Sequence, residues 1–108
     1  MTITHPLGPI TAFEAGTAAK VTVGEHAVAI VRIGDDLYAI ADRCSHAEAS
    51  LSEGEVFENE IECPRHGAVF DVTTGAALTL PATKPVDTYE IVVDGGEASL
   101  IITETDSA

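Results

Sequence analysis

Residues Cys44 to Asp71 read CSHAEASLSEGEVFENEIECPRHGAVFD. This stretch holds both cysteines of the chain and two of its four histidines. They arrive as two mixed pairs: one residue separates Cys44 from His46, and two separate Cys63 from His66. Two thiols and two imidazoles at such short spacing form a metal-ligand set. The order of the ligands bears on which metal they suit.

A zinc finger tends to pair like with like, two cysteines on one turn and two histidines on one helix. Here each pair offers one sulfur and one nitrogen, and Pro64-Arg65 with Gly67 suits a tight loop better than a helix. A binuclear iron–sulfur cluster can use that asymmetry. If one iron takes both thiolates and the other both imidazoles, each loop must supply one ligand of each kind. Two histidines on one iron distinguish a Rieske centre from an all-cysteine cluster.

The chain resembles the Rieske-type ferredoxins, the small soluble electron carriers of bacterial ring-hydroxylating dioxygenase systems. The resemblance runs roughly from Lys20 to Ile102. It is carried by Cys44-Ser45-His46, Ile61-Glu62-Cys63-Pro64-Arg65-His66-Gly67, Phe70-Asp71 and Thr74-Gly75. Leu80-Pro81-Ala82-Thr83 with Pro85-Val86 is similar to the proline-containing segment that covers the cluster in this family. Ala47 departs from the glycine that many relatives place after the first histidine. The resemblance implies that Cys44 and Cys63 bind an inner iron of a 2Fe-2S cluster and that His46 and His66 bind the outer one. It also implies a flavin-dependent ferredoxin reductase and a terminal non-haem iron oxygenase as partners, docking over the two histidines.

The same resemblance bears on redox potential. High-potential respiratory relatives carry two further cysteines, which lock the ligand loops, and a serine and a tyrosine that donate to the cluster sulfurs. Here the corresponding positions of the second loop are Arg65, Ala68 and Phe70. Neither Ala68 nor Phe70 can donate, so the reduced cluster is less stabilised. A potential near the low end of the Rieske span, about −150 mV, is expected.

A length of 108 residues fits one domain, residues 1–108, with a cluster-binding subdomain at about 43–80. Outside the two pairs only His5 and His26 remain, too few for the two-histidine, one-carboxylate iron site of a catalytic oxygenase subunit. A single disulfide between the cysteines would leave His46 and His66 without a role. Met1 to Gly16 has no secretory pattern, and no run of eighteen apolar residues crosses a membrane. These features predict a cytoplasmic protein with nothing that demands more than a monomer, and the resemblance implies an electron carrier that itself transforms no substrate. Five basic against eighteen acidic residues give a formal charge of −13, which repels nucleic acid and anionic membranes and attracts a basic protein. Two other functions fit some of these features: a cluster-bearing accessory or sensor protein linked to iron–sulfur assembly, and a structural zinc module.

Along the chain, turn residues alternate with short apolar runs, which predicts an all-β, antiparallel fold, and the resemblance implies that it is a Rieske-type sandwich. A short strand is expected near Ile10 to Phe13, then strands at Ala18 to Val23, His26 to Ile33 and Leu37 to Ala41. Small hairpins at Glu55 to Phe57, Glu60 to Glu62 and Val69 to Asp71 carry the ligand loops at their ends. Strands at Val86 to Asp94 and Glu97 to Thr103 close the fold, with Tyr89, Ile91 and Val93 reading as core. Ala47 to Leu51 suits a brief helix, His5 reads as solvated and His26 as structural. Asp71 reads as a carboxylate that stabilises the Thr73-Thr74-Gly75 turn.

Overall fold

In the computed structural model, residues 2–24, 26–42, 50–64, 67–79 and 85–103 are described. Their strands are β1 (Thr2–Pro9), β2 (Ala18–Val23), β3 (His26–Ile33), β4 (Asp36–Ala41), β5 (Val56–Phe57), β6 (Glu60–Glu62), β7 (Val69–Asp71), β8 (Thr88–Asp94) and β9 (Glu97–Thr103). All pairings are antiparallel. Six strands form one curled sheet in the order β1-β9-β8-β4-β3-β2, and β5-β6-β7 form a second, small sheet.

The expected hairpins are present where glycine, aspartate and asparagine cut the chain. Asp94↔Glu97 and Ile33↔Asp36 close tight turns through Gly95-Gly96 and Gly34-Asp35. The β5–β6 turn is Glu58-Asn59, with Glu58 at φ 56.

β3 explains why His26 to Ile33 is apolar almost throughout. Val28 and Ile30 face one core, with Leu37, Ala39, Ala98, Leu100 and Ile102. Ala29 and Val31 face another, with Ile40, Leu51, Ile61, Cys63, Phe70 and Val86. The strand is a wall shared by two cores, so neither face needs polar residues. The second core joins the large sheet to the small one.

Four local expectations differ from what the fold adopts. The amino-terminal strand is Thr2–Pro9, and Ile10–Ala12 is a 3₁₀ turn. β1 pairs only with β9, so Pro6 and Pro9 cost no ladder bond on its free edge, and the register shifts between Pro6 and Gly8. Ile3 and Leu7 pack inward, which the prolines and glycine disguise in the sequence. β8 starts at Thr88, because Val86 is instead buried in a loop whose N–H donates to Gly75 O at 2.8 Å. Val93 is 45% exposed, although its cross-strand partner Ala98 is buried and Tyr89 and Ile91 pack against the same core. His5 is half-buried rather than solvated.

A 3₁₀ turn lies at Leu51–Glu53 and shares only Leu51 with the helix expected over Ala47 to Leu51; residues 47–49 lie outside the described residues. The His26 and Tyr89 rings meet edge to face with their centroids 6.1 Å apart, in keeping with a structural role. Asp71 accepts from Thr73 N at 2.8 Å and from Thr73 Oγ1 at 2.5 Å. The Thr73 hydroxyl holds its carboxyl below the ordinary value of 3.8.

Candidate metal centre

The second loop rises from the end of β6 and returns into β7. Its neck is closed by the Glu62↔Val69 pair. Cys63 N–H donates to Ala68 O at 2.6 Å, and Gly67 N–H donates to Cys63 O at 3.0 Å. Gly67 sits at φ 74, a conformation that side chains disfavour, so the tight return needs glycine. Cys63 is fully buried and forms no disulfide. A buried, unbridged thiol at the tip of a hairpin is placed as a thiolate ligand would be.

The first loop leaves β4 at Asp42 and rejoins described chain at Ser50. Asp42 holds both ends. Its N–H donates to Ala27 O at 2.9 Å, and its carbonyl accepts from Leu51 N at 2.5 Å. Its carboxylate accepts from the Ser50 hydroxyl and from Ser52 N at 2.8 Å. Lys20 Nζ stands 3.9 Å away and is half-exposed, so the hydrogen bonds carry more of the stabilisation than this ion pair. Asp42 is 3% exposed, and nothing in the local sequence marks it, since its partners lie eight and ten residues on.

The two necks share one core. Leu51, next to Ser50, and Cys63, Ala68 and Phe70 of the second loop are all fully buried in the same cluster. Glycine makes a further contact between them possible. A Cβ on Gly54 would fall closer than 3.0 Å to the Glu62 carbonyl oxygen, so the backbone after the first loop lies directly against the residue before Cys63. Of the four expected ligands, Cys63 is placed at this junction; Cys44, His46 and His66 lie outside the described residues, as do Arg43, Arg65 and Pro81.

Ala68 and Phe70 are fully buried, and their side chains bring no donor to the site. The donor types that the sequence supplies, two soft thiolates and two imidazoles, fit a [2Fe-2S] group with histidines on one iron.

Replacing Asp42 by alanine leaves the Ser52 N–H without its acceptor and frees both ends of the first loop. The expected cost is about 1–3 kcal/mol of stability. Visible colour should bleach several-fold faster in air while the far-ultraviolet β signal persists, as absorption and circular dichroism would record.

A family model described as Rieske [2Fe-2S] domain matches residues 4–90. The anthranilate 1,2-dioxygenase ferredoxin subunit of Burkholderia cepacia is 46% identical over 92 residues, covering 84% of this chain and 85% of that protein. The ferredoxin of carbazole 1,9a-dioxygenase from Nocardioides aromaticivorans IC177 superposes with a TM-score of 0.82 at 42% identity, over 89% of this chain and 96% of that one. A ferredoxin solved in complex with the oxygenase of carbazole 1,9a-dioxygenase gives a TM-score of 0.86 at 38% identity, over 91% and 92%.

Proposed function

This chain belongs to the Rieske [2Fe-2S] domain family, and from that premise we propose that it delivers single electrons from a flavin-dependent reductase to a terminal non-haem iron oxygenase. It is a ferredoxin, an electron-transfer component with a [2Fe-2S] cluster and not a catalytic subunit. The cluster, once bound, supplies the capacity to take up and release one electron.

In this reading Cys44 and Cys63 are thiolate ligands of one iron, and His46 and His66 are imidazole ligands of the other. What supports it most is the setting of Cys63: fully buried, unbridged, and in the same core as Leu51 at the base of the other loop. Packing the two necks together would bring two ligand pairs to one place. The fold's basal sheet then serves as a rigid mount for the subdomain at about 43–80, the whole chain acting as a single monomeric domain in the cytoplasm. No helix among the described residues is long and apolar enough to cross a membrane.

Turnover tests the role. The oxygenase and reductase of an aromatic-ring dioxygenase system, supplied with NADH and substrate but without their own ferredoxin, should form product when the cluster-loaded chain is added. Reduction of the chain without any gain in product would contradict the delivery step.

A further inference from the structure

The small sheet has one face in the core and one in water. Val56, Ile61 and Phe70 face inward. By strand alternation Phe57, Glu60, Glu62, Val69 and Asp71 share the outer face. Glu55, Phe57, Glu60, Glu62 and Val69 line a hollow there of about 130 Å³. Leu78 extends the same face, because its N–H donates to Val69 O at 2.8 Å while the neighbouring Ala77 pairs with inward Phe70.

This surface is unusual in two respects. Phe57 is 70% exposed and Leu78 46%, the two most exposed large apolar side chains among the described residues. Around them stand Glu55, Glu60, Glu62 and Asp71, and the sequence from His46 to Cys63 contains no lysine or arginine. An aromatic side chain in water with a carboxylate rim has the make-up of a contact centre: an apolar anchor surrounded by charge that selects and orients the partner. The face also adjoins the cluster loop. Glu62 precedes Cys63, and its carboxylate oxygen lies 4.0 Å from where a Gly67 side chain would begin.

We propose that the outer face of the β5–β6–β7 sheet is a docking surface for a redox partner protein, with Phe57 entering an apolar depression ringed by lysine or arginine. The proposal rests on the electron-carrier role above. Charge decides the occupant: a second copy of this chain would bring four carboxylates against four, whereas a basic rim is complementary.

The test uses the cluster-loaded protein, chemically reduced and mixed by stopped flow with mitochondrial cytochrome c, a basic acceptor whose haem edge is ringed by lysines. Phe57→Ala should lower the second-order rate constant about five- to tenfold at low salt. Phe57→Leu should recover part of that loss. Glu55→Gln with Glu60→Gln should flatten the fall of the rate with ionic strength. The visible spectrum should not move in any of these variants, and the midpoint potential should not move in Phe57→Ala or Phe57→Leu, since none touches a proposed ligand and Phe57 carries no charge. A Phe57→Ala rate equal to the parent's would overturn the docking face and leave the carrier role standing. A parent that yields its electron slowly, whatever stands at 57, would strike the carrier role itself and the docking face with it. Light scattering supplies the last arm: a dimer that Phe57→Ala dissolves would assign the face to a second copy and overturn the proposal.

Discussion

Gly75→Ala is expected to cost about 3 kcal/mol of stability, from two independent causes. Gly75 has φ +78, where a β-carbon collides with its own backbone at a cost of about 1–2 kcal/mol. The added carbon would also fall closer than 3.0 Å to the Val86 carbonyl oxygen and meet Thr88 Cγ2 at 3.0 Å. Backbone cannot swing aside as a side chain can, and such overpacking costs about 1–3 kcal/mol. Gly75 is pinned on both sides, its N–H to Asp71 O at 2.7 Å and its carbonyl to Val86 N at 2.8 Å. The clash would therefore separate the turn after β7 from the segment that leads into β8. A fall of roughly 12 °C or more in Tm follows. Gly95→Ala is the control, with φ +59 but nothing within 4 Å, so only the conformational cost applies. Equal losses at the two sites would show that the contact with Val86 contributes nothing.

The second large effect is on the cofactor. Cys63→Ser keeps the size of a fully buried side chain and so keeps the fold, at a cost of about 1–3 kcal/mol for a hydroxyl in an apolar core. A ligand must be deprotonated to bind iron, and a serine hydroxyl gives up its proton far less readily than a thiol of pKa about 8.5. Iron, labile sulfide and visible absorption should fall below a tenth of the parent's values after identical reconstitution, while circular dichroism remains that of a β protein. Full cluster content in Cys63→Ser would remove Cys63 from the ligand set.

The parts of this fold that the sequence discloses are those governed by local chemistry. Gly34-Asp35, Glu58-Asn59 and Gly95-Gly96 mark turns through backbone conformation alone, and the strands beside them follow. The paired spacing of Cys44 with His46 and Cys63 with His66 is likewise local. What escapes such a reading depends on partners distant along the chain. β1 is hidden because Pro6, Gly8 and Pro9 look like loop until β9 is seen to occupy its only paired edge. Val93 alternates in phase with Tyr89 and Ile91, yet it stays 45% exposed beside its buried partner Ala98. Asp42 and Gly54 look ordinary, and their importance lies in Ser50, Ser52 and the Glu62 carbonyl. Phe57 reads as one more strand residue; its exposure follows from having an outer face with no second layer upon it.

The low potential expected from Ala68 and Phe70 joins the site's chemistry to its burial. Both side chains are fully buried in the core, so neither could be exchanged for a donor merely by turning outward. The Cys63 and Gly67 N–H groups are already spent on Ala68 O and Cys63 O. With these donors absent or engaged, the negative charge of the reduced state gains little from Cys63, Gly67 or the side chains of Ala68 and Phe70.

A redox titration of the anaerobically reconstituted protein, followed by visible absorption and by electron paramagnetic resonance, tests the cluster assignment most directly. It should show a single one-electron step near about −150 mV, with a paramagnetic signal that appears only on reduction. A colourless protein without acid-labile sulfide would contradict the assignment outright, and a coloured one with a midpoint well above zero would contradict its link to Ala68 and Phe70.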